Sequence, residues 1–329
     1  MRALPFFLML LAFAAAAACM PGSSAEYGEM FTEGDFEYEM VEGGVSVFGY
    51  EPVTPVSDVV IPATVSHGGT DYDVVGIGSY VFFEPGVVTV TLPDTLVSYS
   101  PIAVASDTVE SIIVGPGNPC FSSEDGVLYD KNKSVLFDYP RGKQTADFVA
   151  PSTVVVIGSD AFYMNKSVTS VTLPDTVYCI NQSAFDSCES LVHVNTFTSA
   201  DTLPEMLVTL GEFAFCDCVN LEHIALNEAL YSIGSGSFQN TGLHTVTIPR
   251  NVTSIANGAF SSCRNLASFE SYSNSFDVIG GVLYEVHNQA VSLLCYPSCA
   301  IPPPARGPPS RSLRRWGTSS NPPSPTAPT

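Results

Sequence analysis

A repeat of 22 to 23 residues constrains this chain more than any other feature. Counting from Pro151, Ile157 and Gly158 stand six and seven residues on, and Ala161-Phe162 follow at ten and eleven. The same offsets from Pro174 reach Ile180 and Ala184-Phe185, and from Pro204 they reach Leu210-Gly211 and Ala214-Phe215. From Pro249 they reach Ile255 and Ala259-Phe260; Asn227 takes the Pro place of a further copy, with Ile233-Gly234 and Ser237-Phe238. Cys188, Cys218 and Cys263 fall fourteen residues after their anchors, with Leu191, Leu221 and Leu266 three further on. Five copies in one phase mark a repeat architecture.

The spacing also says how a unit is built. Residues 221–226 and 243–248 place apolar side chains first, fourth and sixth, the last two alternating as on one face of a strand. This predicts Val171, Val194, Ile224, Val246 and Phe269 facing inward, and Thr172, Asn195, Ala225, Thr247 and Glu270 facing outward. The Pro after the strand ends it, having no N–H for a ladder. Ile and the Ala-Phe pair then turn back inside, small Ala leaving room for Phe. A unit this short cannot bury its own apolar side, so copies must stack over one shared core. The expected class is α/β: a β-rich, curved solenoid with a parallel sheet along one face and short helical turns on the other.

Composition agrees. Of 329 residues, 45% are apolar, enough for a sizeable core, and the 25 Gly and 25 Pro favour short strands and turns. Residues 26–297 hold all 33 acids but only 7 of the 12 bases, a charge of −26 against −21 for the whole chain. Nucleic acid is excluded as a partner, since its binders need a basic footprint. An acidic surface should prefer basic patches, with binding that weakens in salt.

Residues 168–191, Val-Thr-Ser-Val-Thr-Leu-Pro-Asp-Thr-Val-Tyr-Cys-Ile-Asn-Gln-Ser-Ala-Phe-Asp-Ser-Cys-Glu-Ser-Leu, resemble the leucine-rich repeat of the BspA-like surface proteins. Two further blocks are similar to that family: residues 125–129 (Asp-Gly-Val-Leu-Tyr) leading to Tyr139-Pro140, and residues 281–284 (Gly-Val-Leu-Tyr) leading to Tyr296-Pro297. Phe121 and Phe276 each stand eight residues before the Tyr. Residues 45–50, 59–62 and 76–78 look like the family's N-terminal cap and first unit. The resemblance spans about 36–297 and implies a leucine-rich repeat solenoid that is exported or surface-displayed and mediates attachment to host proteins or other cells. The copy at Pro93 departs, with Tyr99 for Ile and Ala103-Val104 for Ala-Phe, and seven residues are inserted between Leu191 and Pro204. Those units should be less regular.

Site chemistry is sparse. Cys188, Cys218 and Cys263 share one slot and read as small buried residues at a tight turn. A Cys188–Cys218 disulfide is geometrically possible between stacked units. Cys216 with Cys218, and Cys295 with Cys299, lack the paired spacing of a zinc site. His193 and His223 each follow a strand-opening Leu by two residues, which predicts two outward imidazoles about one strand spacing apart, with no third ligand in that slot. No Gly-x-Ser-x-Gly elbow, phosphate loop or dinucleotide fingerprint occurs. No catalytic residue, metal ligand or cofactor is assigned. Asn-x-Ser/Thr triplets at Asn132, Asn165, Asn181 and Asn251 are potential glycan acceptors.

The ends differ from the middle. Residues 1–25 read as a secretory signal peptide cleaved after Ala25, with a lipid anchor at Cys19 as the alternative; no other run is long enough to span a membrane. Residues 26–58 form an N-terminal cap region and 59–297 the solenoid. Residues 298–329 hold nine Pro, four Arg and no acid, and read as a disordered tail whose frame was lost near Ser298.

The expected function is a non-enzymatic, exported or surface interaction protein that adheres to extracellular or host proteins. Its contact residues would be His193, Asn195, His223, Thr247, Thr172 and Glu270 on the concave sheet face. A passive envelope component and an exported carbohydrate-binding module are the alternatives.

Overall fold

The computed structural model describes residues 28–287 and 290–295. The expected signal peptide and the Pro/Arg-rich tail lie outside the described residues. The chain opens with three antiparallel strands, Met30–Glu33, Phe36–Val41 and Gly44–Tyr50, and the third runs parallel to Thr70–Ile77. From there the chain winds as a solenoid whose regular coils carry two rungs each.

The first rung is a two-residue strand carrying the Ile or Leu six places after the anchor. Val156–Ile157, Cys179–Ile180, Thr209–Leu210, Ser232–Ile233 and Ser254–Ile255 pair in parallel and in register, one per coil. Each Ile or Leu there is at most 8% exposed. The second rung is the strand before the anchor. Ser170–Leu173 lies parallel between Asp147–Val149 and His193–Thr196, and its burial alternates, with Val171 and Leu173 fully inside. The anchor Pro then stops the ladder, as its missing N–H requires.

Short helical turns on the opposite side do not form, so the α/β class becomes all-β; among the described residues no helix occurs. The reason lies in backbone hydrogen bonding. In each of the five copies anchored at positions 151, 174, 204, 227 and 249, two residues four apart take left-handed φ: Asp160 and Met164, Ser183 and Ser187, Phe213 and Asp217, Gly236 and Asn240, Gly258 and Ser262. A right-handed helix cannot pass through such residues. Alternate N–H groups instead point to the next coil: Asp160, Phe162 and Met164 donate to the carbonyls of Gln182, Ala184 and Asp186 at 2.7–3.0 Å. Those between close local turns, Tyr163 to Asp160 and Asn165 to Phe162. With every second N–H committed to a neighbouring coil, no i to i−4 ladder can assemble.

Inside the turns runs an aromatic spine. Tyr139, Phe162, Phe185, Phe215, Phe238 and Phe260 stack in sequence with ring centroids 4.7–5.6 Å apart and planes within 22° of parallel. The small residue before each Phe (Ala161, Ala184, Ala214, Ser237 and Ala259) is buried as well, so a larger residue there would displace the ring.

The slot fourteen residues after the anchor holds Asn165, Cys188, Cys218, Thr241 and Cys263, all buried. The three thiols are free, and each donates to the carbonyl of the preceding coil's Phe: Cys188 to Phe162, Cys218 to Phe185 and Cys263 to Phe238, at 3.0–3.1 Å. Thr241 meets Phe238's carbonyl with its hydroxyl at 2.9 Å. The common need is a compact side chain whose donor adds a further hydrogen bond to a buried carbonyl. Cys218→Thr should therefore keep stability within about 1 kcal/mol of the parent, whereas Cys218→Leu, which has no donor and more bulk, should cost about 1–3 kcal/mol. Urea unfolding midpoints distinguish the two. Asn165 fills the slot with its own amide bonded to the carbonyls of Pro140 and Arg141, so this triplet has no accessible glycan acceptor in the folded chain.

The single shared core is divided. One apolar cluster runs from Tyr38 to Leu128 and a second from Val127 to Leu283. They part at the antiparallel block Phe121–Glu124, Val127–Asp130 and Val135–Asp138, whose side chains alternate between the two clusters. Polar groups close the seam. Buried Asp138 accepts a hydrogen bond from the Tyr99 hydroxyl. Arg141 donates to the carbonyls of Ala105 (2.7 Å) and Tyr163 (3.0 Å), and its guanidinium lies 4.9 Å from the Tyr163 ring centre.

Candidate functional site

Each strand of the second rung presents two outward positions flanking an inward one, so stacked strands make two rows. On the central sheet one row is Asp147, Ser170 and His193, and the other is Val149, Thr172 and Asn195. Toward the N-terminus, Asp58–Val60, Thr89–Leu92 and Ser111–Val114 give Asp58, Thr89 and Ser111 beside Val60, Thr91 and Ile113. Toward the C-terminus, Thr245–Ile248 and Ser268–Ser271 give Thr245 and Ser268 beside Thr247 and Glu270. Below them Val171, Val194, Ile224, Val246 and Phe269 are buried, as the alternation requires.

This face is not one continuous sheet. Its first gap falls at the antiparallel block, where the Ile112 N–H donates to the Gly126 carbonyl instead of to another coil's strand. The second follows His193–Thr196. Residues 221–226, expected as a strand, make only the single bridge of Ala225 to Thr202. The seven-residue insertion causes this, because it folds back between the two coils. Thr202 N–H donates to the Val194 carbonyl, and Ala225 N–H donates to the Asp201 carbonyl.

That insertion decides where the expected contact residues stand. His193 Nδ1 lies 2.8 Å from an Asp201 carboxylate oxygen. Asn195 accepts the Asp201 N–H through its side-chain oxygen (3.0 Å) and donates to the Ser170 hydroxyl (3.2 Å). Both fasten the insertion, so they are engaged from within the fold. Because Asp201 and Thr202 come between the coils, His193 and His223 are not neighbouring rungs. His223 instead stacks on His244, ring centres 5.4 Å apart and planes 20° from parallel. Thr172 is half-buried beside Asn195, while Thr247 and Glu270 are exposed partners on adjacent strands.

Sequence reasoning missed the apolar members of the surface. Phe197 is 49% exposed at the head of the insertion, where Thr196's hydroxyl accepts from the N–H groups of Thr198 and Ser199 and fixes the turn. Val149 (62% exposed), Val60 and Ile113 sit on the outward rows. The signal for Phe197 was the insertion itself, since loops on a rigid scaffold tend to carry recognition residues. Near the N-terminus the exposed rings of Tyr80 and Phe83 meet edge-on, 6.2 Å apart, over a hollow of about 490 Å³ that Tyr50, Phe82, Glu51 and Glu84 also line.

The repeat phase has its counterpart among known proteins. Residues 137–267 and 197–288 match the family described as BspA type leucine-rich repeat region, in six copies. Residues 137–288 belong to the BspA-type leucine-rich repeat family. No curated protein sequence matches the chain. Among solved structures, a leucine-rich cell surface protein from Faecalibacterium prausnitzii A2-165 is 24% identical, covering 84% of this chain and 63% of its own, with a TM-score of 0.46. This chain thus spans less than two thirds of that protein. A leucine-rich repeat protein from Bacteroides ovatus is 22% identical over 73% of this chain and 64% of its own, TM-score 0.45. The leucine-rich repeat protein of T. pallidum is 30% identical over 44% of this chain and 66% of its own, TM-score 0.39. Among the described residues no helix is long and apolar enough to cross a membrane.

Proposed function

We propose that this chain is a non-enzymatic, exported or surface-displayed adhesin-type protein that grips a basic patch on an extracellular or host protein through its outward rows. The observation that carries this reading is that the central sheet exposes apolar Val149 and acidic Asp147 on one strand, with exposed Phe197 directly after the strand His193–Thr196. Apolar anchors supply affinity once desolvated, and rim charges set orientation and rate of approach. His193, Asn195, Thr172, Thr247 and Glu270 complete the contact area, His193 and Asn195 by holding the Phe197 loop in place. The excess of 26 negative charges over residues 26–297 favours basic partners.

The test is binding of the chain to immobilised matrix and cell-surface proteins. Val149→Ala with Phe197→Ala should weaken binding at least ~10-fold, since each removes a buried anchor worth more than about 1 kcal/mol. Thermal unfolding should be unchanged, because both side chains are exposed in the free protein. Raising salt from about 0.05 to 0.5 M should weaken binding further. Binding untouched by either change removes the sheet face as the site, and no partner at all favours a passive envelope role. A second reading rests on the Tyr80–Phe83 hollow, where exposed rings and the Glu51 and Glu84 carboxylates suit a sugar's apolar face and hydroxyls. A glycan array with Tyr80→Ala as control addresses it.

A further inference from the structure

We infer that Glu222, His223 and His244 form a surface site for a divalent first-row metal ion of the zinc class. One donor atom from each residue, two imidazole nitrogens and a carboxylate oxygen, lies within 4.8 Å of the other two. None of these three side chains has a hydrogen-bond or ion-pair partner among the described residues. By contrast, the His67 imidazole is taken by Glu29 and the His193 imidazole by Asp201. Three unoccupied ligand groups therefore converge at one place on the surface.

The backbone explains the convergence. Leu221 follows its slot residue Cys218 by three positions, but Leu243 follows Thr241 by only two. The shorter turn is possible because position 242 is glycine: a Cβ there would stand 2.6 Å from the Val219 carbonyl oxygen. With that approach made, the His244 N–H donates to the Glu222 carbonyl at 3.3 Å. This brings His244 against the Glu222-His223 pair of the preceding coil and lays the two rings nearly parallel.

The donor set selects the ion. Two imidazoles and one carboxylate are a recurrent zinc triad that leaves a fourth position for water or an outside ligand. Calcium and magnesium want six or more oxygens and find one carboxylate here. Tetrahedral zinc with bonds of about 2.0–2.1 Å needs donors ~3.3 Å apart. All three side chains are exposed, so ordinary rotamer changes close the remaining distance. The strongly negative surroundings raise the local cation concentration. The other cluster of this kind, Asp186, Cys216 and Asp217, is less suited. Burial pushes the Cys216 thiol up to about 12, and Asp217 already accepts the Asn240 amide at 2.6 Å.

The full, untagged chain, stripped with a chelator, is titrated with Zn²⁺ by calorimetry and with Co²⁺ by visible absorption. At about pH 7.5, where free imidazole is neutral, saturable uptake of one ion with a tetrahedral Co²⁺ band is expected. His223→Ala and His244→Ala should each weaken uptake at least ~10-fold, and Glu222→Gln severalfold. His193→Ala and Cys216→Ser should leave it unchanged, and lowering the pH to about 5.5 should release the ion, because protons compete with metal for the ligand atoms. Unchanged melting curves of the two alanine variants show that they fold; His223→Gln serves if one does not. Absence of saturable uptake overturns the assignment, as does uptake that survives the double His223→Ala, His244→Ala variant.

Discussion

Replacing Phe215 by Ala should destabilise the solenoid by about 3–5 kcal/mol, the range for truncating a fully buried Phe. Phe215 is 0% exposed and its ring is sandwiched by Phe185 at 5.1 Å and Phe238 at 5.6 Å, planes within 7° of parallel. Removing it leaves a ring-sized void and strips one face from each neighbour. The coils cannot collapse into that void, because the Phe215 N–H donates to the Ser237 carbonyl on one side of the stack and the adjoining Ala214 carbonyl accepts the Phe185 N–H on the other. A shift of this size lowers the melting temperature of a chain this long by roughly 10 °C. Phe215→Leu, which refills part of the volume, should lose less than half as much. Val219→Ala, on an exposed side chain four residues further along the same coil, should lose almost nothing. Calorimetry or urea unfolding of the three variants checks the order; equal losses for Phe215→Ala and Val219→Ala would remove the spine as the stabilising element.

The second large effect is a dependence of stability on pH that runs against the usual carboxylate. Burial lifts Asp138 to about 7, despite the Tyr99 hydrogen bond and the nearby Arg141 charge, which both pull it down. Burial and the charge of Asp186 lift Asp160 to about 6. In the unfolded chain both groups return to about 4. Between about pH 4 and 7 the folded state therefore holds protons that the unfolded state has lost. Stability from these groups is fully present below about pH 4 and disappears as pH rises through 7. For Asp138 alone the difference between pH 4 and pH 8 is at most roughly 4 kcal/mol. The melting temperature should thus rise as pH falls from 8 toward 5. Asp138→Asn keeps the acceptor for Tyr99 but cannot ionise, so its melting temperature should change much less over that window and exceed the parent's at pH 8. A variant whose pH profile parallels the parent's would exclude Asp138 as the source.

Much of the fold was legible because the repeat fixes phase. An Ile six residues past a Pro and a Phe eleven past it can serve only as rungs, and both became rungs. The alternation that separated Val171 from Thr172 also held on the strands at 193–196, 245–248 and 268–271. The turns were less readable. Residues such as Met164 and Phe213 carry no preference for left-handed φ, which they adopt because N–H groups are claimed by the next coil, a cause that lies outside the local sequence. The same holds for the surface. The insertion at 197–203 was visible as extra length, but not its path between two coils, which separated His193 from His223. His244 was passed over because position was counted from the Leu, whereas the one-residue deletion at Gly242 shifted it into reach.

The antiparallel block at the core seam has a twin. Strands Phe276–Ile279, Val282–His287 and Ala290–Cys295 repeat the earlier order, and the bulge falls at the corresponding place, between Leu283 and Tyr284 as between Leu128 and Tyr129. Each block is a finished end for the coils before it; the first is also a clean start for the coils after it. A gene segment running from one block to the next would therefore encode a cassette with matched faces. Recombination could splice or delete it without inventing a packing contact, so length in such proteins can drift by whole cassettes while each core stays intact.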